Sequence, residues 1–197
     1  MTALQTIAVD GVAPQPWRNG GGRTRELATW PGGGTPWQLR LSVADIDADG
    51  PFSAFDGVDR WFAVLQGAGV RLALPDGPQM LTPRSPPLLF AGEAAPGCWL
   101  TGGATRDFNL MLRRGSGQAG LLDAAAGQPW TDAAPLRGLI TTTALQLQIG
   151  GAPARWLPAW TLVLAEHAGG QRWCIADAEP GGRALWLSFT PHSAPPP

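Results

Sequence analysis

Lysine is absent from this chain of 197 residues, and histidine and cysteine occur twice each. Each scarcity removes a class of chemistry. A mononuclear metal site in a β-barrel enzyme needs two or three histidines and a carboxylate. His167 and His192 do not supply that set at a chelating spacing, so neither a metal nor another cofactor is expected. Cys98 and Cys174 lie far apart and read as reduced, buried thiols. Charged residues make up 15% of the chain and the net charge is -1, which leaves no general basic field for nucleic acid or a membrane surface. No apolar run approaches the ~18–20 residues that cross a bilayer. The start Met1-Thr2-Ala3-Leu4-Gln5 has neither the basic residues nor the apolar stretch of a signal peptide, so the cytoplasm is the expected location.

What remains is a globular composition, 44% hydrophobic with a mean hydropathy of -0.03. All 14 cations are arginines, the side chain suited to bidentate contact with carboxylates and phosphates. No segment holds a 3.6-residue period over three turns. Short alternating runs separated by turn residues predict an all-β chain. The clearest strand is 37–43, where Trp37, Leu39, Leu41 and Val43 alternate with Gln38, Arg40 and Ser42. In 106–114, Phe108, Leu110 and Leu112 face one way while Asp107, Asn109 and Met111 face the other. Further strands are expected at 4–9, 24–30, 60–66, 70–74, 88–90 and 98–101, with 60–66 and 70–74 forming a hairpin across Gly67-Ala68-Gly69. Residues 115–137 are rich in Gly, Ala and Pro and read as a linker with at most a helical turn at 121–126. Strands resume at 140–149, 160–165, 172–176 and 184–189.

Nucleophile motifs are missing. There is no Gly-x-Ser-x-Gly and no cysteine flanked by cations. The run Gly20-Gly21-Gly22-Arg23-Thr24 lacks the Lys-Ser/Thr ending of a phosphate loop and reads as a turn entering a strand, braced by Asn19. The informative residues are the arginines set among apolar neighbours: Arg25, Arg40, Arg60 and Arg106. A buried, unpaired guanidinium costs several kcal/mol, order of magnitude. Each must therefore meet a carboxylate, with Glu26, Asp59 and Asp107 adjacent to three of them, be exposed to solvent, or face a polar cavity that takes an anionic ligand.

The blocks Trp17-Arg18-Asn19-Gly20-Gly21-Gly22-Arg23-Thr24-Arg25-Glu26-Leu27, Trp37-Gln38-Leu39-Arg40-Leu41-Ser42, Asp49-Gly50-Pro51-Phe52-Ser53, Gly57-Val58-Asp59-Arg60 and Arg106-Asp107-Phe108-Asn109-Leu110-Met111 resemble, in order and spacing, the motifs of the HutD/Ves family. The resemblance covers about residues 10–115; beyond that only pattern and length agree. It implies one HutD/Ves-type unit over 1–197 with a cupin-like (RmlC-type) double-stranded β-helix, two lobes in one chain (a bicupin), and no cupin metal histidines. The first lobe is expected over 1–115, a linker over 116–138, a second, smaller β lobe over 139–192, and a disordered tail over 193–197.

The resemblance also implies a regulatory, non-enzymatic protein of histidine utilisation that binds a small anionic metabolite such as formylglutamate. The expected ligand-binding residues are Asn19, Arg25, Glu26, Arg40, Ser42, Arg60, Arg106 and Asn109. Arginines would hold carboxylates, and Asn and Ser would read amide or carbonyl groups. A second reading is a metal-independent isomerase or hydrolase with Glu26 or Asp59 as general base. A third is a docking module that buries Trp156 and Trp160, and a homodimer is compatible with any of the three.

Overall fold

The computed structural model describes residues 4–33 and 35–192. Antiparallel strands dominate, with two short 3-10 turns at Val9–Gly11 and Gly92–Ala94. They sort into two compact units: residues 12–116, and residues 1–11 together with 117–197. Among the described residues no helix is long and apolar enough to cross a membrane.

In the unit of residues 12–116, a six-stranded sheet has the order Gln15–Pro16, Gly22–Trp30, Leu39–Ile46, Thr105–Arg113, Val58–Gln66, Leu88–Ala91. A four-stranded sheet has the order Gly50–Pro51, Gly97–Leu100, Val70–Leu74, Gly77–Leu81. Phe62, Val64, Val70, Leu72, Cys98 and their neighbours form a buried cluster that draws on both sheets. Phe62 is wholly buried, a burial worth about 1.5–3 kcal/mol. The period of two in Leu39–Ile46 is real, but both faces are covered. Leu39, Leu41 and Val43 are buried on one, Ser42 and Ala44 on the other, and Arg40 is only partly exposed.

The other unit also has two sheets. One runs Leu4–Ala8, Thr161–Ala165, Leu136–Thr141, Ala184–Pro191, Gly117–Asp123, and the other Pro129–Thr131, Arg172–Ala178, Leu145–Ile149, Arg155–Leu157. Its core holds a tryptophan trio. Trp130 and Trp186 stack at 5.1 Å and 10°, and Trp173 meets both edge-on at 6.1 Å. Arg137 is wholly buried against the rings of Trp130 and Trp173, at 5.2 and 5.1 Å. Its two terminal nitrogens donate to the carbonyls of Gln171, at 2.7 Å, and Ala168.

Four expectations are corrected. The stretch 116–138 is not a linker and carries no helical turn: it holds the strands Gly117–Asp123 and Pro129–Thr131 and enters Leu136–Thr141. Glycine there permits close approach rather than slack, since a Cβ on Gly117 would lie 2.3 Å from the Thr190 carbonyl oxygen. Residues 1–115 are not one lobe, because Leu4–Ala8 pairs with Thr161–Ala165. The strands at 60–66 and 70–74 are no hairpin: they lie in different sheets, and Val70–Leu74 turns back onto Gly77–Leu81. The run 140–149 is two strands broken after Thr141. Cys98 is buried as expected, whereas Cys174 is only partly so. The tail expected over 193–197 lies outside the described residues.

Candidate functional site

Alternation decides where each arginine goes. On Gly22–Trp30, Arg23 and Arg25 share one face, with Thr24 and Glu26 on the other. Arg23 and Arg25 pair in register with Asp45 and Val43 of the next strand, and Arg106 pairs with Asp45 from the far side. All three guanidinium groups converge on that carboxylate, with N–O distances of 2.9, 2.6 and 2.6 Å. Burial disfavours the Asp45 charge, but hydrogen bonds from Arg106, Arg25 and Arg23 outweigh it and bring the carboxyl down to about 2.

The opposite face carries Arg40, Ser42 and Ala44. Facing them in register are Met111, Asn109 and Asp107, and beyond those Arg60, Phe62 and Val64. This face floors a cavity of about 490 Å³. Its walls come from 15–19, including Trp17, Arg18 and Asn19, and from 51–55, including Phe52 and Phe55. The glycine triplet builds the first wall. Trp17 N–H donates to the Gly22 carbonyl at 2.9 Å, Gly20 N–H donates to the Trp17 carbonyl at 3.0 Å, and Gly20 sits at φ +72°. The Asn19 side chain braces the turn by accepting the Gly21 N–H at 3.1 Å. A Cβ on Gly22 would lie 2.4 Å from the Asp45 carbonyl oxygen and 3.1 Å from the Trp17 ring, so only glycine fits. The Trp17 indole N–H is fixed by the Thr24 hydroxyl at 2.8 Å.

Of the three arginines that line the cavity, the two on its floor are held under different conditions. Arg40 donates to Glu26 at 2.6 Å, which neutralises it. Arg60 is 6% exposed, and among the described residues no carboxylate lies within ion-pairing distance. Its Nε donates to Asn109 Oδ1 at 2.8 Å. Its guanidinium carbon stands 4.3, 5.8 and 5.5 Å from the ring centres of Phe52, Phe62 and Phe90. Burial lowers its pKa to about 9, with the Asp107 charge acting in the opposite sense.

Of the eight expected site residues, Asn19, Arg40, Ser42, Arg60 and Asn109 line the cavity. Glu26 reaches it only through Arg40. Arg25 and Arg106 are corrected: both lie on the reverse face of the sheet and are held by Asp45. Asp59 does not line the cavity either. It pairs with Arg114 at 2.7 Å, and Arg114 also holds Glu93. The residues not anticipated include Trp17, Arg18, Thr24, Phe52, Phe55 and Met111. Met111 was within reach, because it follows Asp107 and Asn109 on the same face. Phe52 and Phe55 come from a loop whose path no local period describes.

A family model described as HutD matches residues 10–153. An uncharacterised 21.2 kDa protein in the hutC 3' region of Pseudomonas putida is 41% identical over 112 residues, 56% of this chain and 59% of its own length. Protein Ves of Citrobacter koseri is 36% identical over 99 residues, 50% of this chain and 52% of its own length. The chain thus spans little more than half the length of these curated relatives. Among solved structures, HutD from Pseudomonas fluorescens SBW25, in a formate condition, superposes with a TM-score of 0.82 at 26% identity, covering 97% of this chain and 100% of that one. Chains only 12% and 9% identical, with TM-scores of 0.63 and 0.64, share the cupin-like all-β fold alone.

Proposed function

The chain belongs to the HutD/Ves family, and from that premise we propose that the cavity in residues 12–116 captures a small carboxylate metabolite of histidine utilisation. Formylglutamate is the compound we name, and the protein's role is to sense it and moderate the pathway rather than to catalyse a step. We also read the two units as the two lobes of a bicupin. The single observation that carries the binding reading is Arg60, a buried guanidinium left without a carboxylate and set at a cavity. An uncompensated charge in that position costs several kcal/mol, order of magnitude, and an anionic ligand offsets the cost. Asn109 and the phenylalanine rings preorganise the group, Arg18 adds positive charge at the mouth, and Ser42 is placed to read a carbonyl or amide. The family member with a pathway name and the hutC-region relative supply the choice of pathway.

The isomerase or hydrolase reading draws no support from the site. Glu26 is engaged by Arg40, and Asp59 is engaged by Arg114 outside the cavity.

Formylglutamate is expected to raise the melting temperature, with a stability gain that follows RT ln(1 + [L]/Kd), about 2.7 kcal/mol at a hundred times Kd. A panel of histidine-pathway compounds at millimolar concentration that leaves the melting curve unmoved overturns the ligand assignment.

A further inference from the structure

The inward row of the strand Thr105–Arg113 has one member the binding reading does not use. Asn109 and Met111 line the cavity, and Asp107, two residues further along the same face, lies behind it. Asp107 is wholly buried. Its Oδ2 accepts the Thr105 hydroxyl at 2.7 Å, and its Oδ1 has no hydrogen-bond partner. A buried carboxylate oxygen left unpaired is costly when charged and far less so when the carboxyl is protonated. The groups that act on Asp107 come from three directions: Arg60 from Val58–Gln66, Asp45 from Leu39–Ile46, and Cys98 from Gly97–Leu100. Arg40 acts on Arg60, and Asp49 acts on Cys98. Geometry links Arg60 to this row through Asn109, the neighbour of Asp107 on the same face, whose Oδ1 accepts the Arg60 Nε–H at 2.8 Å.

We propose that Asp107 is a positioning residue for anion capture, which sets the charge that Arg60 presents to the cavity. This rests on reading the cavity as an anion site. With Asp107 protonated, Arg60 is an uncompensated cation and attracts a carboxylate. With Asp107 ionised, its charge partly offsets that of Arg60 across the low-dielectric interior and the attraction weakens. Binding of an anion to the ionised form therefore draws one proton from solvent onto the Asp107 carboxyl, while the ligand stays anionic.

The electrostatics agree with this arrangement. Burial pushes the Asp107 carboxyl up to about 8, against the opposing pull of the Thr105 hydroxyl and the Arg60 charge. At neutral pH the receptive, protonated form then dominates, and affinity is lost as pH rises through that value. The Cys98 thiol is pushed up to about 12 by burial and the nearby Asp107 and Asp49 charges, so it stays protonated across the same range.

The test is calorimetric titration with formylglutamate from pH 6.5 to 9, in buffers of different ionisation enthalpy, together with infrared titration of the carboxyl band. In the wild type the band of a protonated carboxyl is present at pH 7 and absent from Asp107→Asn. Binding weakens by up to about tenfold per pH unit above the Asp107 midpoint, with proton uptake approaching one per ligand. Asp107→Asn binds at pH 7 like the protonated wild type, and its proton uptake falls. Thr105→Val, which removes the hydroxyl donor to the carboxylate, moves the bend in the profile to higher pH. Identical pH profiles and proton counts in the wild type and Asp107→Asn overturn the proposal, as does an ionised Asp107 at pH 7. Should Asp107→Asn fail to fold, the Thr105→Val shift decides. Should formylglutamate not bind at all, the ligand assignment falls, and the infrared midpoint of Asp107 in Arg60→Met still judges the coupling. A midpoint raised by loss of the Arg60 charge supports it, and an unmoved midpoint overturns it.

Discussion

Each unit of this protein buries one arginine against aromatic rings, and the two are left in opposite states. Arg137 lies against Trp130 and Trp173 with both terminal nitrogens donating to backbone carbonyls. Arg60 lies against Phe52 and Phe90, donates through Nε alone among the described residues, and borders about 490 Å³ of open space. The same residue type in a similar cradle is thus mortar in one unit and, on the binding reading proposed above, a receptor in the other. Burial does not distinguish the two roles. The distinction is whether the chain itself supplies the guanidinium's acceptors. A third state is seen around Asp45, where one carboxylate serves three arginines.

The largest effect is expected where the chain supplies the acceptors. Arg137→Ala removes a donor from the Gln171 and Ala168 carbonyls and leaves a void between tryptophans, and should destabilise the protein by about 3–5 kcal/mol in chemical denaturation. A loss under about 1 kcal/mol would show that Arg137 is not the mortar described.

Next comes the shared carboxylate. Asp45→Ala removes the carboxylate that three cations share on one side of the sheet and is expected to cost about 2–4 kcal/mol. The acid limb of stability carries the same signature. Because the folded Asp45 carboxyl sits at about 2, below the ordinary 3.8, its contribution is present above pH 4 and fades as pH falls towards 2. Asp45→Ala should flatten that part of a stability–pH profile, and an unchanged slope would remove Asp45 as its source.

The smallest effect is at Arg40. Its partner Glu26 is about two-fifths exposed, so Glu26→Gln should change stability by less than about 1 kcal/mol. It frees a second cation at the cavity and should tighten carboxylate binding by a few-fold, most clearly at low salt. Weaker binding in this variant would mean that Glu26 orients Arg40 for the ligand rather than competing with it.

Much of this division was written in the local pattern. The all-β class follows from alternation and turn residues, and the split of Arg23 and Arg25 from Thr24 and Glu26 is a matter of counting by two. The same counting, carried across Leu39–Ile46 and Thr105–Arg113, separates Arg40, Ser42 and Asn109 from Asp45 and Arg106. Applied to whole strands rather than to single arginines, it would have removed Arg25 and Arg106 from the site. What local pattern could not carry was long-range pairing. Nothing in Leu4–Ala8 announces Thr161–Ala165 as its neighbour. Glycine-rich strands such as Gly117–Asp123 look like loops until the backbone they press against is known. The phenylalanines around Arg60 come from two strands of one sheet and a loop, and only the closed fold brings them together.

The most direct measurement is calorimetric titration of formylglutamate into the wild type and into Arg60→Met at pH 7, with the stability of both followed in urea. Methionine fills the space without the charge. The account predicts binding weakened by about 2 kcal/mol, roughly thirtyfold, with stability unchanged or raised by about 1–3 kcal/mol, since an uncompensated buried cation has gone. Equal affinity in the two proteins, or a large loss of stability with binding intact, would contradict it and make Arg60 a structural residue like Arg137.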